Sequence, residues 1–199
     1  MSLHTNSLRI VGIGGTLREN STSLWALQHV LDIAREAGAT TQLIDLRRLD
    51  LPMFQPDWDL EDYDASVQEF IQIAKHADAF AFSTAAYHGT LAGITKNALD
   101  FLEFLSDAPE PYLHNKPVGL IATAGGDQAA IHSIAAMVNV VHSLRGYALP
   151  LSIPIHNAKE VFDPSGKVTS AKYIKRLDQM GKMLVDTALR FQKRHHPVS

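Results

Sequence analysis

Residues 8–31, LRIVGIGGTLRENSTSLWALQHVL, read in order as a buried strand, a glycine turn, a loop of hydroxyls with one arginine, and a helix. Leu8, Ile10, Val11 and Ile13 form the short apolar run of an inner parallel strand, and Gly12, Gly14 and Gly15 give the flexibility of a tight turn. Thr16, Ser21, Thr22 and Ser23 then carry hydroxyls, Asn20 or Ser21 can cap a helix, and Leu24, Leu27, Leu31 and Ala34 recur at helical spacing. A phosphate at that junction meets backbone N–H groups, hydroxyl donors, the positive end of a helix and the Arg18 fork together. The stretch therefore reads as a phosphate cradle.

The rest of the chain repeats the strand-then-helix pattern. Apolar runs at residues 8–13, 40–46, 79–83, 118–123 and 147–153 give five strand candidates. Between them, Val67, Phe70, Ile71 and Ala74, then Ala98, Phe101, Leu102 and Leu105, then Ile131, Ile134, Ala135 and Val138 mark helices. A last helix carries Leu177, Gly181, Leu184, Ala188 and Phe191. Alternation of this kind predicts an α/β fold with a doubly wound parallel sheet and helices on both faces. Ligands of such sheets lie beyond the carboxyl ends of the strands, which directs attention to the loops there.

Composition narrows the function. The 199 residues, 46% of them hydrophobic, suffice for one sizeable core, so a single domain over 1–199 is expected, with residues 1–7 and 192–199 as frayed tails. A formal net charge of −3 offers no broad basic surface, and nucleic acid is not an expected partner. With no cysteine, disulfides, thiol catalysis and cysteine-held metal centres are excluded, so redox chemistry must come from a bound cofactor. The ten histidines show no HxxxH or HExxH spacing, and the adjacent His195 and His196 do not share a helix face, so no metal site is expected. No stretch approaches eighteen uninterrupted apolar residues and the first seven lack a signal pattern, so no membrane association and a cytoplasmic location are expected.

Three loops carry the remaining signals. Residues 47–59 include Pro52, Met53, Phe54, Pro56 and Trp58, an apolar connection suited to covering a ligand or packing on a partner subunit. After the third strand, Gly89 and Gly93 break the path, and Tyr87, His88 and Thr90 are placed to border or hydrogen-bond a planar ligand. Spacing leaves open whether Tyr87 edges a ring or plugs the loop. Lys96 and Asp100, four apart, read as a local ion pair. After the fourth strand, Gly125 and Gly126 precede a helix that Asp127 is able to cap.

Two of these segments resemble a known family. GGTLRENSTS is similar to the GS-x-R-x-x-S phosphate loop of the NADPH-dependent FMN reductase family, and AAYHGTLAGITKNALDFL is similar to its PEYNGS-x-PG-x-LKNALDWL segment, in the same order and spacing. The resemblance implies a flavodoxin-like five-stranded sheet of order 2-1-3-4-5 holding FMN. It also implies hydride transfer from NADPH or NADH through FMN to a flavin, quinone, azo or similar small-molecule acceptor, in a homodimer or homotetramer. By the same likeness Thr16, Arg18, Ser21 and Ser23 correspond to phosphate contacts, Tyr87, His88, Gly89 and Thr90 to the segment edging the flavin ring, and Gly125 and Gly126 to a third flavin loop. No catalytic side chain is expected, because the cofactor carries the chemistry. The chain departs from the pattern at Ala85 and Ala86, which replace Pro-Glu, at His88 for Asn, at Thr16 for Ser, and at Ser23 where Asn is common. A dinucleotide-binding reading of Gly12 and Gly14 meets Leu17 where a third glycine belongs, and no GK[ST] ending supports a P-loop. A flavodoxin-like electron-transfer or regulatory module without NAD(P)H turnover shares the fold and is the alternative.

Overall fold

In the computed structural model, which describes residues 8–195, the apolar run after Leu8 becomes β1 (Arg9–Gly15), with six of its seven residues buried. It is followed by α1 (Thr22–Glu36), β2 (Thr40–Asp45), the one-turn α2 (Leu46–Leu49), α3 (Ala65–Lys75) and β3 (Ala79–Tyr87). Then come the two-residue β4 (Thr90–Leu91), α4 (Gly93–Asp100), β5 (Pro117–Thr123), α5 (Asp127–Ser143), β6 (Tyr147–Ile155), the short α6 (Ala158–Val161) and α7 (Ala171–His195).

Five parallel strands are ordered β2-β1-β3-β5-β6, the expected 2-1-3-4-5 arrangement once the extra short strand is set aside. That extra strand, β4, is the return arm of a hairpin antiparallel to the end of β3, which alternation alone did not reveal. The helix expected from Ala98 to Leu105 is shorter: α4 ends at Asp100 and the chain tightens into a 3-10 turn over Phe101–Leu105. At the other end of the chain α7 stays helical through His195, so residues 192–195 extend the helix, while 1–7 and 196–199 lie outside the described residues. Among the described residues no helix is long and apolar enough to cross a membrane.

The two faces of the sheet are packed differently because side chains alternate along each strand. Val11, Ile13, Phe80, Phe82 and Leu120 enter one core with α3, α4 and α5, while Ile10, Ala79, Ala81 and Ile121 enter the other with α1 and α7. On that second face Gly12 and Gly119 leave room for Leu31 of α1 and Met180 of α7. The helices themselves meet at Gly181, where an added Cβ would sit 2.8 Å from both Ile33 Cβ and the Val30 carbonyl oxygen. Gly181→Ala raises helix propensity by about 1 kcal/mol, but overpacking of roughly 1–3 kcal/mol opposes it. The expected result is a Tm lowered by up to roughly 8 °C in differential scanning calorimetry, against the usual gain from Gly→Ala in a helix.

The edge strands of the sheet are β2 and β6, and Arg176 of α7 donates to the Ser152 carbonyl of β6 at 2.8 Å. At β6 the register with β5 slips around Pro150, where Val118 pairs with Ala148 but Leu120 with Ser152, and Pro154 removes a second N–H. At the amino ends of the strands, the buried Lys116 donates to the Lys75 carbonyl at 3.2 Å, and burial pushes its ammonium pKa down. The Lys96–Asp100 ion pair forms as expected, on the exposed side of α4.

Candidate functional site: a cleft at the carboxyl ends of the strands

β1 ends at Gly15 in a left-handed conformation (φ 105°), which turns the chain out of the sheet and into the loop before α1. Thr16 is buried and its hydroxyl accepts from the Arg18 N–H at 3.1 Å, curling the loop back on itself. Ser21 is the helix cap: its Oγ accepts from the Leu24 N–H at 3.3 Å. The N–H groups of Leu17, Glu19 and Asn20 have no acceptor among the described residues. Arg18 makes no ion pair there, whereas its neighbour Glu19 is held from α2 by Arg47 at 3.0 Å. A turn of unmated amides, a capped helix start and a free guanidinium make a site for a phosphate group.

Ser23, expected as a phosphate contact, is fully buried. Two residues past the cap the chain has rotated by about 200°, and its hydroxyl lies 3.0 Å from Ser21 Oγ while its carbonyl accepts from Ser83 Oγ at 2.8 Å. It supports the cap from beneath and does not line the cleft. Thr22 reaches across instead, its Oγ1 donating to Thr123 Oγ1 at 3.2 Å and tying α1 to the end of β5.

A cleft of about 450 Å³ runs from this loop along the strand ends. Thr16, Arg18 and Ser21 line one end, Ala85, Ala86 and Tyr87 follow from β3, and Thr123 to Gly125 close the far wall. Tyr87 is 43% exposed, so it is no loop plug. Beyond it, the β3–β4 hairpin reverses at His88 (φ 50°) and Gly89 (φ 84°), the left-handed pair of a two-residue turn. His88, Gly89 and Thr90 are exposed at that tip and are not among the cleft lining. The hairpin base is fixed by Thr84, whose Oγ1 accepts from the Ala92 N–H at 3.0 Å and meets Thr95 Oγ1 at 3.0 Å. Gly126 precedes α5 as its cap, without a side-chain bond, and Asp127 is the first helical residue instead of the cap. An added Cβ at Gly125 or Gly126 would meet nothing within 4 Å, so this loop borders open space.

The apolar loop after β2 turns inward. Asn97 accepts from the Phe54 N–H at 2.9 Å and donates to the Pro52 carbonyl at 2.7 Å, and Phe54 packs edge-on against Phe101 and Phe104. Met53 and Trp58 remain exposed. Sequence reading missed the fourth wall entirely: residues 157–160, the cap and first turn of α6, line the cleft through Asn157, Ala158, Lys159 and Glu160. Among the described residues no cluster of three His, Asp or Glu is arranged to hold a metal ion.

A doubly wound parallel sheet with an anion-receiving turn after its first strand and a cleft along the neighbouring strand ends is a flavodoxin-like arrangement. The pattern of the NADPH-dependent FMN reductase family matches residues 8–160, and the chain belongs to that family of FMN- and NAD(P)H-dependent oxidoreductases. It is 27% identical over 173 residues to an NAD(P)H-dependent FMN reductase of Pseudomonas aeruginosa, covering 84% of this chain and 88% of the relative. It is 25% identical over 197 residues to a probable NADPH:quinone oxidoreductase of Oryza sativa, covering 96% and 94%. Among solved structures, the flavoenzyme NAD(P)H:(acceptor) oxidoreductase FerB of Paracoccus denitrificans shares the fold with a TM-score of 0.71 at 23% identity, over 92% of this chain and 98% of that one. The residues present fit FMN: unmated amides and Arg18 suit its phosphate, and the small Ala85 and Ala86 leave the adjoining wall open to a planar ring.

Proposed function

We propose that this cleft holds FMN with its phosphate in the turn after β1 and its ring along Ala85 to Tyr87, and that NAD(P)H reduces a small flavin, quinone or azo acceptor there. One observation carries the reading: Arg18, whose guanidinium makes no ion pair among the described residues, Asn20 with its unmated amide and the start of α1 line the same cleft that β3 borders. Thr16 and Ser21 shape that turn, and Ser23 fixes Ser21 from below. FMN supplies the redox chemistry when bound, and the protein's part is to position and shield. Thr22 and Thr123 keep the two loops on either side of the ligand at a fixed spacing. His88, Gly89, Thr90 and Gly126 stand outside the lining, where they meet the ring edge or the incoming acceptor. In the same reading the chain works as a single FMN-binding domain in the cytoplasm. The exposed Met53 and Trp58 support self-association into a homodimer or homotetramer.

The test is spectroscopic. Purified protein mixed with FMN is expected to show a flavin spectrum that survives desalting, to bleach on anaerobic addition of NADPH or NADH, and to recover when a quinone is added. Retained FMN that neither donor bleaches would overturn the reductase reading in favour of an electron-carrier module.

A further inference from the structure

The wall formed by residues 157–160 has no counterpart in the loops read from the sequence, and it is firmly mounted. The Ala124 N–H donates to the Ile155 carbonyl at 2.9 Å and the Ala158 N–H to the Ala124 carbonyl at 3.1 Å, locking the segment to the end of β5. Ala158 and Val161 are buried beneath it, and the Phe162 ring lies 5.8 Å from Trp25 of α1. Asn157 adopts a left-handed conformation (φ 46°), turning the chain out of β6 into the first turn of α6, whose residues 158–160 line the cleft.

Resting on the FMN reading above, we propose that Lys159 is a second phosphate-binding cation of this cleft, acting from the α6 wall while Arg18 acts from the loop after β1. Among the described residues its ammonium has neither an ion pair nor a hydrogen bond, although several other cations are matched: Arg47 by Glu19, Arg48 by Asp45, Lys96 by Asp100 and Arg35 by Asp32. Arg18 and Lys159 are the two cations lining the cleft, with Glu160 the one carboxylate. A phosphate monoester carries about −1.5 to −2 charges at neutral pH, so a single guanidinium leaves roughly a third to a half of that charge unmatched. A lysine suits the second place, because a point charge on a flexible stem can meet an oxygen that the planar Arg18 fork does not engage. Two phosphates are available to such a cation, that of FMN and those of the nicotinamide donor.

The experiment measures FMN and riboflavin binding by flavin fluorescence for the wild type, K159A and K159R across a salt series, together with KM for NADPH and NADH. If Lys159 serves FMN, K159A raises the Kd for FMN by about tenfold and flattens its salt dependence, K159R restores most of the affinity, and riboflavin binding does not move. If Lys159 serves the donor, FMN affinity holds while KM rises about tenfold for NADPH alone, by the same charge-assisted term acting on its extra phosphate, or for both donors through the pyrophosphate. An FMN Kd and donor KM values all within twofold of wild type would overturn the assignment while leaving FMN binding intact. A wild-type protein that takes up no FMN would overturn the FMN reading itself.

Discussion

Replacing Arg18 with alanine is expected to weaken FMN binding by roughly 1.5–3 kcal/mol, a Kd about 10- to 150-fold higher, with little change in the stability of the FMN-free protein. Both halves follow from its surroundings. The guanidinium is exposed on the cleft wall and makes no ion pair among the described residues, so its removal orphans nothing in the fold. The loop conformation does not depend on it, because Thr16 Oγ1 holds the Arg18 backbone N–H and Arg47 holds Glu19. Isothermal titration calorimetry reads the first half and a thermal melt of the FMN-free protein the second. An unaltered FMN affinity would remove Arg18 from the phosphate site.

The second large effect is the converse, a change that damages the fold beneath the loop. A Cβ at Gly14 would lie 2.4 Å from the backbone oxygen of Ser83 on the neighbouring strand and 3.0 Å from the Ser83 Cβ. Both contacts are fixed, since Gly14 is paired with Ser83 in the sheet and the Ser83 hydroxyl bonds the Ser23 carbonyl at the start of α1. No flexible side chain can yield there, so Gly14→Ala is expected to cost about 3 kcal/mol by overpacking, a fall in Tm of roughly 6–12 °C. The shift of β1 against β3 also moves the Ser21 cap, so FMN affinity falls with stability in this variant, unlike in the Arg18 variant. A melt of Gly14→Ala within 2 °C of wild type would contradict the close approach.

What was legible in the sequence was local. Strand–helix alternation is written in periodicity, so five strands could be expected, their order following from the family resemblance, and the glycine turn with Arg18 announced an anion site from a dozen consecutive residues. Ser23 shows the limit of spacing: a hydroxyl two residues from Ser21 looks equivalent in the sequence, but the helix turns it into the core. The loop around Pro52 looked like a surface cover because it is apolar, whereas Asn97, 43 residues from Phe54, ties part of it into the core. Lys159 and Asn157 were invisible for a related reason. More than 130 residues separate them from the first loop, and only the placement of β6 beside β5 carries them to the cleft. No composition bias or motif marks them. The hairpin tip at His88 and Gly89 corresponds by family likeness to a ring-edging segment, and where that tip lies depends on how far β3 extends past the sheet, which spacing does not give.

The prolines of the outermost strand β6 bear on how this protein behaves when crowded. A bare strand is a template on which another chain can lengthen the sheet, and repeated addition of that kind leads to fibres. Here the donors missing at Pro150 and Pro154, together with the slipped pairing around the first of them, give a newcomer an interrupted row of hydrogen-bonding groups. That border of the sheet is thereby a poor seed for intermolecular stacking, a protection encoded in two side chains that take no part in lining the cleft.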